Sequence, residues 1–346
     1  MTAGPLARSY WPALDGLRGF AILLVVVAHA GLGLEPVGGQ VGVTLFFVLS
    51  GFLITSILVA EKGQTGTIDL MHFYGRRARR VLPGLIFFLL VSGLILTVIV
   101  KDFPFWGSTW PGLFYVSNYA QIFDVDVFAN THLWSLSVEE HFYAFWPLIL
   151  LSRKGIPSSN GLLKLAAAMV ALRFGIGALD PNWAYHDTLT NSYALLIGCA
   201  IAVAPDRMSG LRMPRWAPPF GAGMLVLLSM WPTENLDALL AVGVWLPVIA
   251  ALISGVMLIV LLEGDSFMFQ MGWLRYAGRI SYGWYLWDAP FLFIDGLNGT
   301  PGLRLGFVFV TFTTAAFSWH VVEKRFLSSQ PFPSIRNAPP KRTGVR

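Results

Sequence analysis

Apolar stretches recur along almost the whole chain, and they limit what it can fold into. A helix needs about 20 mostly apolar residues to cross the hydrocarbon core of a membrane. Stretches close to that length lie at 16–34, 41–60, 81–100, 137–152, 161–178, 190–205, 217–231, 237–262, 280–296 and 303–322. Only 12% of the 346 residues are charged, against about 25% in ordinary soluble domains. The sequence therefore excludes a soluble enzyme and predicts an all-α, polytopic integral membrane protein with about ten transmembrane helices.

The basic residues predict an orientation for these helices, because Lys and Arg concentrate in cytoplasmic loops. With a cytoplasmic N-terminus, twenty of the 24 basic residues lie on the inner face and only Lys101 and Arg304 on the outer face. Both termini are thus predicted to be cytoplasmic. We expect residues 1–327 to form the transmembrane domain and the polar, Pro-rich residues 328–346 to form a disordered basic tail. The longest outer loop, 101–136, is rich in aromatic residues and is typical of an interfacial belt or a lid.

Two ionisable residues of the first stretch are predicted to share a helix face. Arg18 and His29 are eleven positions apart, which corresponds to about 16 Å along a helix and about 20° from whole turns. An ionisable group inside a membrane segment usually lines a polar cavity. His29 is therefore a candidate catalytic residue, while Arg18 also fits a simple anchor at the cytoplasmic end.

The fourth stretch offers a carboxylate partner for His29. The topology places Glu139 and Glu140 at about the depth of His29, and a carboxylate can fix the tautomer of an imidazole and raise its basicity. Adjacent helical residues point about 100° apart, so at most one of the two can face His29. We predict Glu139 in this role; the alternative is an acidic pair that only stabilises the start of a helix.

Other charged residues allow two interpretations each. The run at 76–80 contains four arginines, which could bind phosphates or could simply determine topology. Arg173 is predicted to pair with Asp288, which could also serve as a proton relay. The chain has no phosphate-binding loop, no H-E-x-x-H and no G-x-S-x-G. These absences argue against an ATP-driven pump, a metal site and a serine nucleophile elbow.

Four motifs resemble those of the membrane-bound acyltransferase 3 family. They are LDGLRGFAILLVVVAHA at 14–30, GVTLFFVLSGFLI at 42–54, FYGRRARRVLP at 73–83 and WSLSVEEHFYAFWP at 134–147. The chain departs from the family's usual pattern at His141, where Gln is usual, and at Asp288, where His is common. The second departure leaves open whether the position of Asp288 is catalytic here.

The resemblance implies an O-acyltransferase of a bacterial-type inner membrane. Such a protein takes an acyl group, usually acetyl, from cytoplasmic acyl-CoA as co-substrate and gives it to a surface glycan or glycoside. It implies no bound cofactor, no metal and no nucleic-acid partner. On this interpretation His29 is the general base, assisted by Glu139. The predicted CoA-binding residues are Arg18, Arg76, Arg77 and Arg80. The predicted acceptor-binding residues are Trp134, Ser137 and Tyr143.

Several alternatives stay open at the level of sequence. The transfer could be direct or could pass through an acylated His29. A proton-coupled transporter or flippase of glycan precursors would also place ionisable residues in the membrane. A third possibility is a catalytically silent subunit of an export assembly. The residues do not select among O-antigen, exopolysaccharide, peptidoglycan, Nod factors and macrolides as acceptor.

Overall fold

The fold is known from a computed structural model that describes residues 11–204, 214–263, 266–290 and 301–327. Over these residues the chain is helical and contains no strand, as the sequence predicts. The predicted tail at 328–346 lies outside the described residues. The first helices are α1 Pro12–His29, α2 Val37–Thr65, α3 Leu70–Ile99, α4 Phe105–Leu113, α5 Ser117–Ile122, α6 Trp134–Ser152, α7 Ser159–Gly177, α8 Pro181–His186 and α9 Thr188–Ala202. The later ones are α10 Ala217–Ser229, α11 Leu236–Glu263, α12 Phe267–Gln270, α13 Gly272–Arg279, α14 Ser281–Asp288 and α15 Pro301–Ser318.

Six of the described helices are long and apolar enough to cross a membrane. They are α1, α2, α3, α7, α11 and the helical segment Gly302–Phe326 that begins within α15. The other four predicted spans coincide with α6, α9, α10 and α14, which are shorter or less apolar. A multi-pass membrane protein is therefore confirmed. The count of ten spans and the orientation of the termini stay predictions.

Helix α2 lies at the centre of the bundle and packs closely against α9. A methyl group on Gly51 would lie 1.9 Å from the carbonyl oxygen of Leu195, and one on Gly198 would lie 2.0 Å from that of Val48. The two backbones can approach this closely only because both residues lack a side chain. The close packing of α2 on α9 therefore depends on Gly51 and Gly198.

The predicted outer loop is in fact folded against the bundle. Its residues form α4, α5 and a short 3-10 helix, Phe128–Leu133. Phe105 packs on Gly93 of α3, and Leu133 packs on Gly112. The exposed aromatic side chains Trp106 and Phe114 fit the expectation of an interfacial belt. The buried part of the segment delivers residues to the interior of the molecule.

Arg173 of α7 does not pair with Asp288, so that expectation was wrong. Its guanidinium is fully buried and donates hydrogen bonds to main-chain carbonyls and to the side-chain oxygen of Asn191. The carbonyls belong to Ala184, Thr190, Gly243 and Val244. Arg173 therefore ties α7 to the N-terminal part of α9 and to α11. Asp288 lies elsewhere.

Candidate active site

His29 ends α1, and its carboxylate partner is Asp288. Nδ1 of His29 donates a hydrogen bond to Oδ2 of Asp288, at the end of α14. Asp288 is 1% exposed, and its second oxygen is buried with no hydrogen-bond partner among the described residues. A buried carboxylate on Nδ1 fixes the imidazole tautomer and leaves Nε2 as the proton-accepting nitrogen. This is the arrangement that a histidine general base needs.

Glu139 does not contact His29, contrary to the expectation from sequence. Its carboxylate accepts a hydrogen bond from Oγ of Ser50 at 2.7 Å. His29 instead lies beside Gly39, which precedes Ser50 by eleven residues on α2. Eleven residues correspond to about 16 Å of helix, so Glu139 and His29 lie at different levels of the bundle. The topology argument places them at the same depth because the predicted span begins at residue 137, whereas α6 begins at Trp134.

The second ring nitrogen of His29 lies beside Gly39 of α2. A methyl group on Gly39 would lie 3.3 Å from Nε2, closer than ordinary van der Waals contact. Because Gly39 has no side chain, this space stays available to a molecule that approaches Nε2. It belongs to a cavity of about 50 Å³, which we call the histidine cavity. Its walls are formed by Val25, His29, Pro36, Gly39, Gln40, Val43, His132, Trp134, Tyr185 and Tyr285.

Helix α14 contacts two residues that line the histidine cavity, His29 and His132. Tyr285 and Asp288 are three residues apart and therefore lie on one face of the helix. Asp288 binds His29, while the hydroxyl of Tyr285 donates to the carbonyl oxygen of His132 at 2.5 Å. The same hydroxyl accepts from Oγ of Ser135 at 2.6 Å. One helix thus positions α1 and the segment before α6 relative to each other.

Three of the predicted CoA-binding arginines lie near each other, and we call Arg18, Arg77 and Arg80 the arginine cluster. The charge of Arg80 is close enough to those of Arg18 and Arg77 to be repelled by them. Arg18 donates to Oγ of Ser281 at 2.9 Å. The fourth arginine, Arg76, lies apart and faces Glu61 at 3.9 Å. The structure therefore does not bring all four arginines together.

Acidic groups lie beside the arginine cluster. Arg77 donates to one carboxylate oxygen of Glu140 from Nη2 at 2.5 Å and to the other from Nε at 3.0 Å. The charge of Glu139 also lies within the electrostatic range of Arg77 and Arg18. A second cavity, of about 230 Å³, opens here and is lined in part by Arg77, Glu140 and Tyr143. Paired charges at a cavity are suited to an anionic ligand that can replace one partner.

The three predicted acceptor-binding residues have separate places. Trp134 lines the histidine cavity. Ser137 is fully buried, donates to the carbonyl of Leu133 at 3.1 Å and accepts from the main-chain N–H of Ser117 at 3.2 Å. Tyr143 lies at the arginine cluster: the guanidinium carbon of Arg77 is 3.3 Å from the centroid of the Tyr143 ring. Of these three, only Trp134 is placed to touch a molecule at His29.

Sequence reasoning missed His132 and the partnership of Asp288 with His29. His132 lies in a segment that was expected to be an outer loop, and Asp288 was assigned to another partner. A signal was available in the SYGWYLWDAP run, where Tyr285 and Asp288 recur at helical spacing among apolar residues. It could not be turned into a contact, because nothing in the spacing says which helix lies opposite.

Comparisons with known proteins agree with the family resemblance. A family described as an acyltransferase domain matches residues 11–323. YrhL of Bacillus subtilis is 33% identical over 355 aligned positions, which cover 91% of this chain and 54% of YrhL. The peptidoglycan O-acetyltransferase OatA of Listeria monocytogenes is 31% identical over 86% of this chain and 51% of OatA.

A further relative matches a smaller part of the chain. The O-acetyltransferase OatA of Staphylococcus aureus is 36% identical over 56% of this chain and 34% of that protein. The chain thus spans about half the length of the first two relatives and a third of the last. No solved structure matches the chain significantly.

Proposed function

Because the chain belongs to the acyltransferase-domain family, we propose that it moves an acyl group from acyl-CoA to a hydroxyl of a glycan. The observation that carries this proposal is the pair of His29 and Asp288, which opens through Nε2 onto the histidine cavity. We further propose ten transmembrane spans, both termini in the cytoplasm and a bacterial inner membrane as location. In this orientation the arginine cluster faces the cytoplasm and the histidine cavity lies toward the outer side.

The arginine cluster supports acyl-CoA as donor. CoA carries phosphate groups, and guanidinium groups bind phosphates through paired hydrogen bonds. Arg18 and His29 lie on one helix, about 16 Å apart along its axis. An extended pantetheine arm can span such a distance, so phosphates held at Arg18, Arg77 and Arg80 would let the thioester reach His29. Acetyl is the acyl group that the names of the relatives favour.

The proposed transfer is direct. Nε2 of His29 takes the proton of the acceptor hydroxyl while the hydroxyl oxygen forms a bond to the thioester carbon. The tetrahedral intermediate then expels the CoA sulfur, which receives the proton from His29. Asp288 is a positioning residue that keeps the proton on Nδ1 and stabilises the imidazolium that forms during the reaction. The products are an O-acyl ester and free CoA.

Glu139 has a different role in this proposal from the one that the sequence suggested. It lies with Ser50 and Arg77 at the arginine cluster, away from His29. We assign it to balancing the positive charge there when no CoA is bound. Glu140, paired with Arg77, would yield its place to a phosphate group.

The walls of the histidine cavity support a glycan as acceptor. Aromatic rings stack on the apolar faces of sugars, and Trp134, Tyr185 and Tyr285 supply three such rings. The relative from Listeria is named a peptidoglycan O-acetyltransferase. We therefore propose peptidoglycan, or a precursor of it, as the acceptor.

The first experiment compares membranes that contain the wild type, His29→Ala or His72→Ala, each given labelled acetyl-CoA and soluble peptidoglycan fragments. His72 is an exposed histidine near the start of α3 and serves as the control. We expect His29→Ala to lose about 100- to 10,000-fold of the transfer rate, the usual contribution of general-base catalysis, while His72→Ala keeps it. Equal transfer by the wild type and His29→Ala would contradict the assignment of His29. Transport of a glycan precursor without consumption of acetyl-CoA would favour a flippase.

A further inference from the structure

A second histidine, His132, lines the cavity onto which His29 opens. It is 5% exposed and lies in the 3-10 helix that leads into α6. Its ring packs edge-on against Phe88 and lies 5.3 Å from the ring of Tyr285. These aromatic contacts and the hydrogen bond from Tyr285 to its carbonyl hold the imidazole firmly.

Both ring nitrogens of His132 lack a hydrogen-bond partner among the described residues. The main chain of Leu286 comes near the ring without completing a hydrogen bond. A buried polar group without a partner lowers the stability of a fold. This cost is explained if a substrate atom supplies the missing partner when the cavity is filled.

The proposed reaction also needs a hydrogen-bond donor for the oxyanion, a role that neither His29 nor Asp288 fills. Attack on the thioester carbon turns its carbonyl oxygen into an oxyanion, and enzymes stabilise such an oxygen with positioned N–H groups. His29 cannot serve, because its Nδ1–H is used by Asp288 and its Nε2 takes the proton of the acceptor. A neutral imidazole carries one N–H and can donate it.

We propose that His132 donates this hydrogen bond to the acyl carbonyl oxygen as the tetrahedral intermediate forms. Burial, together with the nearby charge of His29, lowers the pKa of His132 to about 3. His132 is then neutral at ordinary pH, so it does not repel the imidazolium that forms at His29. A neutral histidine that acts as an electrophile has precedent in other enzymes.

The inference rests on the proposed function, and the two can fail separately. We would compare wild type, His132→Phe and His132→Gln with labelled acetyl-CoA and soluble peptidoglycan fragments, and measure kcat and KM for each substrate. His132→Phe keeps the shape of the ring without an N–H, whereas Gln restores an N–H. His141→Gln is the matched control, because His141 is a histidine of α6 bound to Thr188, outside the histidine cavity.

Loss of an oxyanion donor lowers kcat by about 100- to 1,000-fold. We expect this loss in His132→Phe, little change in either KM, partial recovery in His132→Gln and wild-type kinetics in His141→Gln. An unchanged kcat with a raised KM for the peptidoglycan fragments would overturn the proposal and make His132 an acceptor-binding residue. Failure of His132→Phe to accumulate or to bind acetyl-CoA, with no recovery of kcat in His132→Gln, would show a structural role and would also overturn it. No transfer by the wild type would instead refute the proposed function.

Discussion

The chemistry of the candidate site depends on which carboxylate contacts His29. The sequence predicts Glu139 in this role, whereas the structure pairs His29 with Asp288. The carboxylate of Asp288 accepts a hydrogen bond from Nδ1–H of His29. We therefore expect Asp288 to act on catalysis through its negative charge and its fixed position. An amide of the same shape would offer an N–H or a weaker acceptor instead.

Asp288→Asn is therefore expected to lower kcat of acyl transfer by at least about 100-fold, because an amide at Nδ1 favours the wrong imidazole tautomer. The KM for acetyl-CoA should change little, since Asp288 contacts His29 and lies away from the arginine cluster. Steady-state kinetics with labelled acetyl-CoA and soluble peptidoglycan fragments would measure both quantities. Asp124→Asn, at an exposed position after α5, is the matched control.

A wild-type kcat in Asp288→Asn would show that the imidazole needs no carboxylate. Equal losses in Asp288→Asn and Asp124→Asn would point to a general effect on the preparation. The thermal stability of all three proteins should be measured beside the kinetics, because Asp288 is buried and its replacement leaves new polar groups there.

At the scale of the helices, close backbone contact holds the centre of the bundle together. Helices α2 and α9 touch through Gly51 and Gly198, each against a carbonyl oxygen of the other helix. The residue next to Gly51 is Ser50, which binds Glu139 of α6. The residue beside the glycine contact thus links α2 to α6 as well.

Gly198→Ala should destabilise the protein, because the added methyl group would lie 2.0 Å from the carbonyl oxygen of Val48. Overpacking of this kind usually costs about 1–3 kcal/mol, and backbone atoms cannot move aside as side chains can. The control is Gly175→Ala in α7, where an added methyl group would meet no atom within 4 Å. Thermal unfolding in detergent would measure the difference, and equal midpoints for the two variants would contradict the close contact.

At the scale of the whole molecule, the arginine cluster and the histidine cavity lie at different levels of one bundle. Helix α1 carries Arg18 of the arginine cluster and His29 of the histidine cavity. Donor and acceptor would then approach from opposite sides and meet near His29. This arrangement needs the arginine end of the bundle to face the cytoplasm.

Single cysteines at two exposed lysines test that orientation. Lys101 follows the end of α3 and Lys154 follows the end of α6, so they are predicted on the outer and inner sides respectively. In intact cells a membrane-impermeant thiol reagent should label Lys101→Cys and spare Lys154→Cys, with both labelled after lysis. The wild type is the background control, since its single cysteine, Cys199, is fully buried. The opposite pattern would invert the proposed topology.

The local sequence by itself determined the membrane character, the helical class and the placement of two candidate site residues on one helix. Long apolar stretches permit little besides helices in lipid, because backbone polar groups there must bond within the segment. The spacing of Arg18 and His29 along one helix follows from the rise per residue alone. The four motifs also suffice to identify the family.

Only the tertiary structure decided the contacts between helices. Asp288 is 259 positions from His29, and no local rule says which helix face meets which. The same holds for Arg173, which binds main-chain carbonyls and not the predicted carboxylate. It also holds for His132, which reaches the histidine cavity because the segment before α6 folds against the bundle. Local pattern determines the elements, since it acts through backbone geometry and burial. The site depends on how those elements pack, because its groups meet only through contacts between distant segments.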